Sequence, residues 1–210
     1  MRRYHRIFDI PVSMKLVEGL LRKDLRNLQQ PWVRIGVNGE PSEDWPLTVR
    51  VCEICQEEGK RAVVIVRLWK LPTQEVLEKL KKASAILHVS LCALDAEPFR
   101  QARLEVLRKH RELGGKAVLR LVTFAFLEGD TRWGIQEELL RWGGLVLEQP
   151  ARLQRSNPTW GLVDQRRYEP YHSYVSKQTS KRWFTAGQLY DVSACVTACP
   201  DCPNQCMTRR

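Results

Sequence analysis

The chain has 210 residues, 43% hydrophobic and 28% charged, a composition that excludes an extended disordered chain and suits a packed core. Its formal net charge of +10 favours polyanionic partners, nucleic acid or an anionic cofactor among them, although no groove-reading motif accompanies it. No apolar run reaches the roughly eighteen residues of a membrane span; the basic start from Met1 to Arg6 leads into a stretch broken by Asp9 and Pro11, unlike a secretory leader, so the expected location is the cytoplasm.

A first strand is expected around Arg6 to Ile10 and a helix from Ser13 to Leu28. Trp32 to Val37 reads as a strand because β-branched residues recur in it, and Trp45 to Glu58 reads as a helix. Further strands follow at Ala62 to Val66, Ile86 to Leu91, Ala117 to Val122 and Leu145 to Leu147. The helices between them carry start and stop signals. Thr73 and Glu75 open one that ends on Lys81 and Lys82, the sign the helix dipole favours there. Pro98 opens the next, with Phe99, Ala102, Leu104, Leu107 and Leu113 as its apolar face and Gly114-Gly115 as its stop. Thr131 to Trp142 gives another, closed by Gly143-Gly144.

Strands recurring at about thirty residues match the size of one βα unit. Such alternation predicts a parallel sheet covered by helices, with right-handed crossovers. Six units suit an open or partial barrel, or a doubly wound sheet, and pattern alone does not separate them. After Pro150 the chain turns polar and aromatic without periodicity. The expected organisation is therefore a βα body over residues 1–150 and an irregular extension over 151–210, packed on the same domain.

Seven cysteines exclude complete internal disulfide pairing, and four of them crowd into the tail as Cys195-Val-Thr-Ala-Cys199-Pro-Asp-Cys202-Pro-Asn-Gln-Cys206. In a reducing compartment such clusters bind metal. Gaps of two and three residues let successive thiolates turn to one centre, and Pro200 and Pro203 keep the segment out of a regular helix. An iron–sulfur cluster is the expected occupant. Zinc is the competitor, although its sites usually separate two cysteine knuckles by a longer loop. Cys52 and Cys55 also form a C-x2-C pair, but on a helix beside Val51 and Ile54, where core packing is expected; Cys92 reads as core too. His88 in a strand and His110 on a helix read as structural.

Val37-Asn38-Gly39-Glu40-Pro41 follows a strand directly, and ligands of parallel sheets bind at strand carboxyl ends. Gly39 allows close approach of a ligand, Glu40 supplies a carboxylate, and Pro41 fixes the exit. Together with Ala85 to Asp95 (Ala-Ile-Leu-His-Val-Ser-Leu-Cys-Ala-Leu-Asp) and Lys116 to Val122 (Lys-Ala-Val-Leu-Arg-Leu-Val), this loop resembles the radical S-adenosylmethionine superfamily from about Pro31 to Pro150. The resemblance implies a partial parallel (β/α)6 barrel whose GEP-like loop meets the amino group of adenosylmethionine. It makes Asn38, Gly39, Glu40, Pro41, Ser90 and Arg120 the cofactor-binding candidates: a carboxylate for an ammonium, a guanidinium for a carboxylate, a hydroxyl for a ribose or carboxylate. It also implies a [4Fe-4S] cluster, an electron donor and hydrogen abstraction from a substrate the sequence does not name.

The chain departs from the family in one respect. The family's C-x3-C-x2-C motif follows its first strand, whereas Phe8 to Ser13 contains no cysteine and the matching spacing lies at Cys195, Cys199 and Cys202. Either the tail supplies the cluster from the far end of the chain, with one iron open and Cys206 a neighbouring thiol, or all four thiols close a cluster or bind zinc. The second case describes a non-catalytic, metal-stapled binding protein whose basic surface engages nucleic acid or a protein partner.

Overall fold

The computed structural model describes residues 14–36, 39–151, 153 and 156–167. Helix α1 (Met14–Asn27) precedes strand β1 (Trp32–Ile35). There follow α2 (Trp45–Glu57), β2 (Arg61–Val66), α3 (Gln74–Lys82), β3 (Ile86–Cys92), α4 (Glu97–Glu112), β4 (Lys116–Thr123), α5 (Arg132–Leu140) and β5 (Leu145–Pro150). The expected first strand at Arg6 to Ile10 lies outside the described residues.

All strand pairings are parallel, and the sheet order is β1-β2-β3-β4-β5. In this order every crossover steps the same way, so right-handed connections put every crossover helix on one face. A doubly wound sheet reverses its growth part-way; the five described strands do not. The fold is α/β with an open, all-parallel sheet, compatible with a partial barrel.

Side-chain alternation along the strands sorts the core into two layers. Ala62, Val64, Val66, Leu87, Val89, Leu91, Leu119 and Leu121 pack with Val49 and Cys52 of α2, Leu77 and Leu80 of α3, Leu104 and Leu107 of α4, and Leu139 and Leu140 of α5. The alternate positions Trp32, Val63, Ile86 and Val118 form a separate cluster that, among the described residues, includes no helical residue. A third cluster covers the carboxyl ends of β3 and β4. There Cys92, Phe124 and Phe126 meet Ala151, Leu153 and Val163, and Phe126 bridges Val163 in antiparallel fashion.

Local chemistry accounts for the helix ends. The Asp44 carboxylate accepts from Leu47 N (3.0 Å) to cap α2, and the Thr73 hydroxyl accepts from Val76 N (3.3 Å) to cap α3. Helix α4 stops at Gly114, whose φ of +81° lets Gly115 N donate back to His110 O at 2.8 Å. The buried face of α4 departs from the sequence pattern in part. Leu104 and Leu107 are buried as expected, but Phe99 is 63% exposed and Arg103, Val106 and His110 are buried beside them. Phe99 sits in the first turn of α4, before the helix settles against β3 and β4. Helices α1 and α2 are laced by ion pairs: Arg50 to Glu18 (2.9 Å), Arg22 to Glu58 (3.0 Å) and Arg26 to Glu58 (2.7 Å). Among the described residues no helix is long and apolar enough to cross a membrane.

Candidate functional site

Strand β1 ends at Gly36, in the left-handed region at φ +96°. A Cβ at this position would stand 2.2 Å from the Ile65 carbonyl oxygen and 2.8 Å from Pro41 Cγ, so only glycine fits. Gly39, singled out by the loop sequence, is exposed, and a Cβ there would meet nothing within 4 Å. The space beside it is open to a ligand, while the conformational demand falls three residues earlier.

Glu40 caps the 3-10 turn Pro41–Glu43. Its Oε1 accepts from the backbone N–H of Ser42 (3.3 Å) and from the Ser42 hydroxyl, and its Oε2 accepts from Arg67 N at 2.9 Å. The fully buried Ser42 hydroxyl accepts in turn from Trp69 N (2.9 Å) and Lys70 N (3.4 Å). Between these anchors lies Leu68, buried and at φ +56°, an uncommon conformation for a residue with a γ-branched side chain. Glu40 and Ser42 thus clamp the strained turn that leaves β2, and through it fix the ends of two adjacent strands. A carboxylate offers about four acceptor directions, and the bonds to described residues use three of those of Glu40. Beside it is a hollow of ≈ 300 Å³ lined by Gly36, Gly39, Glu40, Glu43, Asp44 and Thr48 among others. Ile35, Pro41, Leu47 and Val51 make that lining largely apolar; of its three carboxylates, Glu40 and Asp44 already accept backbone N–H groups.

The line continues across the sheet. Arg67 donates through its guanidinium to Asp95 at 3.0 Å, just past β3. Asp95 also accepts from Cys92 N (2.8 Å) and pairs with Arg103 at 3.1 Å. Burial pushes the Asp95 carboxyl pKa up, but the Cys92 N–H and the Arg103 and Arg67 charges outweigh it and leave the pKa lowered. Ser90 and Arg120 are register partners on β3 and β4 and point to the same side of the sheet. Arg120 donates to Gln149 of β5, and burial, then the Arg34 charge, lowers its pKa. Ser90 and Arg120 are thus neighbours, while Glu40 sits at the end of β1 and bonds to neither.

Asn38 lies outside the described residues, as do Cys195, Cys199, Cys202 and Cys206 and the aromatic stretch from Tyr168 to Tyr174. Among the described residues no group of three or more His, Cys, Asp or Glu side chains is placed to hold a metal ion. Cys52, Cys55 and Cys92 are buried and free. Burial raises the thiol pKa of all three, that of Cys55 to about 11, which keeps them protonated and inert at neutral pH. No protein-family model matches the chain, and no curated protein matches it.

Gly36, Ser42, Arg67 and Asp95 are strand-end residues that motif reading passed over. Ser42 had a signal of its own, following Pro41 at the mouth of the loop. Arg67 and Asp95 had only their place just past a strand, which becomes informative once the strand order is known.

Proposed function

We propose that the chain is an iron–sulfur protein similar to radical S-adenosylmethionine enzymes, working in the reducing cytoplasm on a substrate still to be identified. The observation that carries this reading is the row of polar groups at the carboxyl side of a sequentially ordered parallel sheet: Glu40 after β1, then Ser90 and Arg120 paired across β3 and β4. Under this reading the body is a partial (β/α)6 barrel, with its first strand near Arg6 to Ile10, and the 151–210 extension carries the cysteines.

The donor set fits adenosylmethionine. The Glu40 carboxylate receives the methionine ammonium, and the largely apolar hollow beside it takes the methionine side chain. The Arg120 guanidinium, using the N–H groups not given to Gln149, receives a carboxylate, and the Ser90 hydroxyl serves a ribose or carboxylate oxygen. Cys195, Cys199 and Cys202 are the thiolates assigned to a [4Fe-4S] cluster, with Cys206 as a neighbouring or fourth thiol. When bound, the cluster and adenosylmethionine together supply hydrogen-abstraction chemistry, and the protein's share is to bind, orient and exclude water. The Glu40–Ser42 clamp contributes orientation, since it fixes the carboxylate against two backbone segments before any ligand arrives.

The test is anaerobic purification, absorption spectroscopy, metal and sulfide analysis, and EPR of the reduced protein with and without adenosylmethionine. The expected result is a brown protein with about four irons per chain and an EPR signal that shifts on adding adenosylmethionine. A colourless protein holding one zinc would overturn the reading. A cluster whose signal ignores adenosylmethionine would assign all four thiols to a closed site.

A further inference from the structure

Three guanidinium groups converge on one acidic residue at the carboxyl side of the sheet. Asp95 stands between the end of β3 and the start of α4. Its Oδ1 accepts from Arg67, just past β2, at 3.0 Å and meets the Arg103 guanidinium of α4 at 3.1 Å. Arg100, in the first turn of α4, donates to the backbone carbonyl of Asp95. The second carboxylate oxygen is taken by Cys92 N at 2.8 Å. One carboxylate thus serves three cations, and both its oxygens are engaged. Glu97, two residues on, is exposed, and no hydrogen bond or ion pair joins it to the three arginines.

Arg103 is the most demanding of the three. It is 7% exposed, a guanidinium stays charged at any depth, and a buried charge is costly unless its donors are met. Its contact with Asp95 is one of charge, not a directed hydrogen bond: Arg103 Nε and Nη1 are both buried without a hydrogen-bond partner among the described residues. The Phe99 ring, centred 6.0 Å from the guanidinium carbon, flanks it and accepts none of those donors in a hydrogen bond. A buried guanidinium with idle donors, beside two others that use few of theirs, is suited to receive an oxyanion. No side chain caps the first turn of α4, so the positive end of the helix dipole adds to the same field. Ligands of parallel sheets bind on this side.

We propose that Arg67, Arg100 and Arg103 bind the phosphate group of a phosphate monoester, with Asp95 as the post that holds the guanidinium groups in place. Three cations less one carboxylate leave two positive charges, and a monoester brings about two negative ones at neutral pH. The site goes beyond the cofactor reading. None of the three arginines is a cofactor candidate, and Arg67 meets Glu40 through its backbone N–H, which leaves the guanidinium to Asp95 and the phosphate.

The experiment is isothermal titration calorimetry of phenyl phosphate into the full-length protein at constant ionic strength, with benzoate as the carboxylate of matching ring. Phenyl phosphate is expected to bind, and benzoate, with a single charge, to bind about tenfold more weakly or worse. Arg67→Gln combined with Arg100→Gln is expected to weaken phenyl phosphate by about tenfold or more. Arg67 is exposed and Arg100 half-buried, so this pair tests the site even where a change at the buried Arg103 costs folding. Arg103→Lys keeps the charge but loses the fork of donors, and is expected to weaken binding too. Lys81→Gln with Lys82→Gln removes the same charge as the first pair from the exposed end of α3 and is expected to leave affinity within about twofold of wild type. A wild-type protein that does not bind phenyl phosphate, benzoate bound as tightly, equal losses in the two Gln pairs, or no loss in the first would overturn the proposal. No adenosylmethionine is present, so failure here leaves the cofactor reading standing, and failure of cofactor binding leaves this one.

Discussion

Gln136 of α5 closes both backbone hydrogen bonds of a single residue, Phe124: its Oε1 accepts from Phe124 N at 2.8 Å and its Nε2 donates to Phe124 O at 3.1 Å. Phe124 follows the last residue of β4, and both residues are buried. The side chain therefore acts as one more rung of ladder where the sheet has run out.

Gln136→Leu keeps the volume and removes both partners, leaving an N–H and a C=O buried and unpaired. The expected loss is about 2–5 kcal/mol, from the cost of each orphaned group. Chemical unfolding monitored by circular dichroism measures it, and an unchanged midpoint would show that water or another group takes the place of the amide.

Gly115 lies against the imidazole of His110, where a Cβ would stand 2.3 Å from Nε2. Gly115→Ala is expected to cost about 1–3 kcal/mol by overpacking. His110→Ala, which opens space beneath, is expected to recover part of that loss in the double variant, so a double-mutant cycle on unfolding free energies reads the coupling.

The same histidine sets a pH dependence. Burial lowers its pKa to about 4 from an ordinary 6.5, so the folded protein holds it neutral while the unfolded chain binds a proton below pH 6.5. Its contribution is present above that pH and fades as pH falls toward 4. Between pH 7 and pH 5 the expected loss is about 2 kcal/mol. Urea unfolding of wild type and His110→Leu at both pH values isolates it: the difference in stability between them narrows at pH 5.

Ser42→Ala removes the acceptor of Trp69 N and Lys70 N and one of the Glu40 contacts. The turn through Leu68 is held by these bonds against an unfavourable φ, so the expected loss is about 1–3 kcal/mol. Glu40→Gln is expected to release the same turn and to abolish the EPR response to adenosylmethionine. Hydrogen exchange at Arg67 to Lys70 checks the structural half and EPR the functional half.

Cys52, Cys55 and Cys92 are expected to stay unmodified by an aromatic disulfide reagent until the protein unfolds, because burial keeps them as thiols. Under the proposed metal site the tail cysteines are protected by metal and react after chelation. Counting labelled thiols by mass spectrometry, native, chelated and denatured, separates the two sets.

The elements of the fold were legible because their signals are local. Thr73, Pro98, Gly114 and the β-branched runs each announced a start, a stop or a strand. Strand β5 runs on to Pro150 because Glu148 and Gln149 are held by Thr123 and Arg120 across the sheet, a pairing that hydropathy cannot register. Phe99 misled because an apolar residue at helical spacing looks like core, whereas its turn precedes the helix's contact with the sheet. Gln136 left no trace: a single amide in an amphipathic pattern reads as surface, and its role depends on where β4 ends. At the candidate site the Asn-Gly-Glu-Pro loop drew attention to the end of β1, where Glu40 joins the turn that leaves β2. The glycine that the backbone requires is Gly36, and it is required by Ile65 and Pro41, residues that sequence alone does not bring to it.

The sequential strand order also bears on how the molecule comes into being. Each strand pairs with the one made just before it, so every new stretch of chain finds its template already beside the point where it emerges. The closing distance is the length of one helix and two loops, and the entropy of closing so short a span grows only slowly with each unit added. Among the five described strands, none has to wait for a distant partner within that set. For these five strands the order of translation can therefore also be the order of assembly, with each exposed strand edge sheltered by its successor.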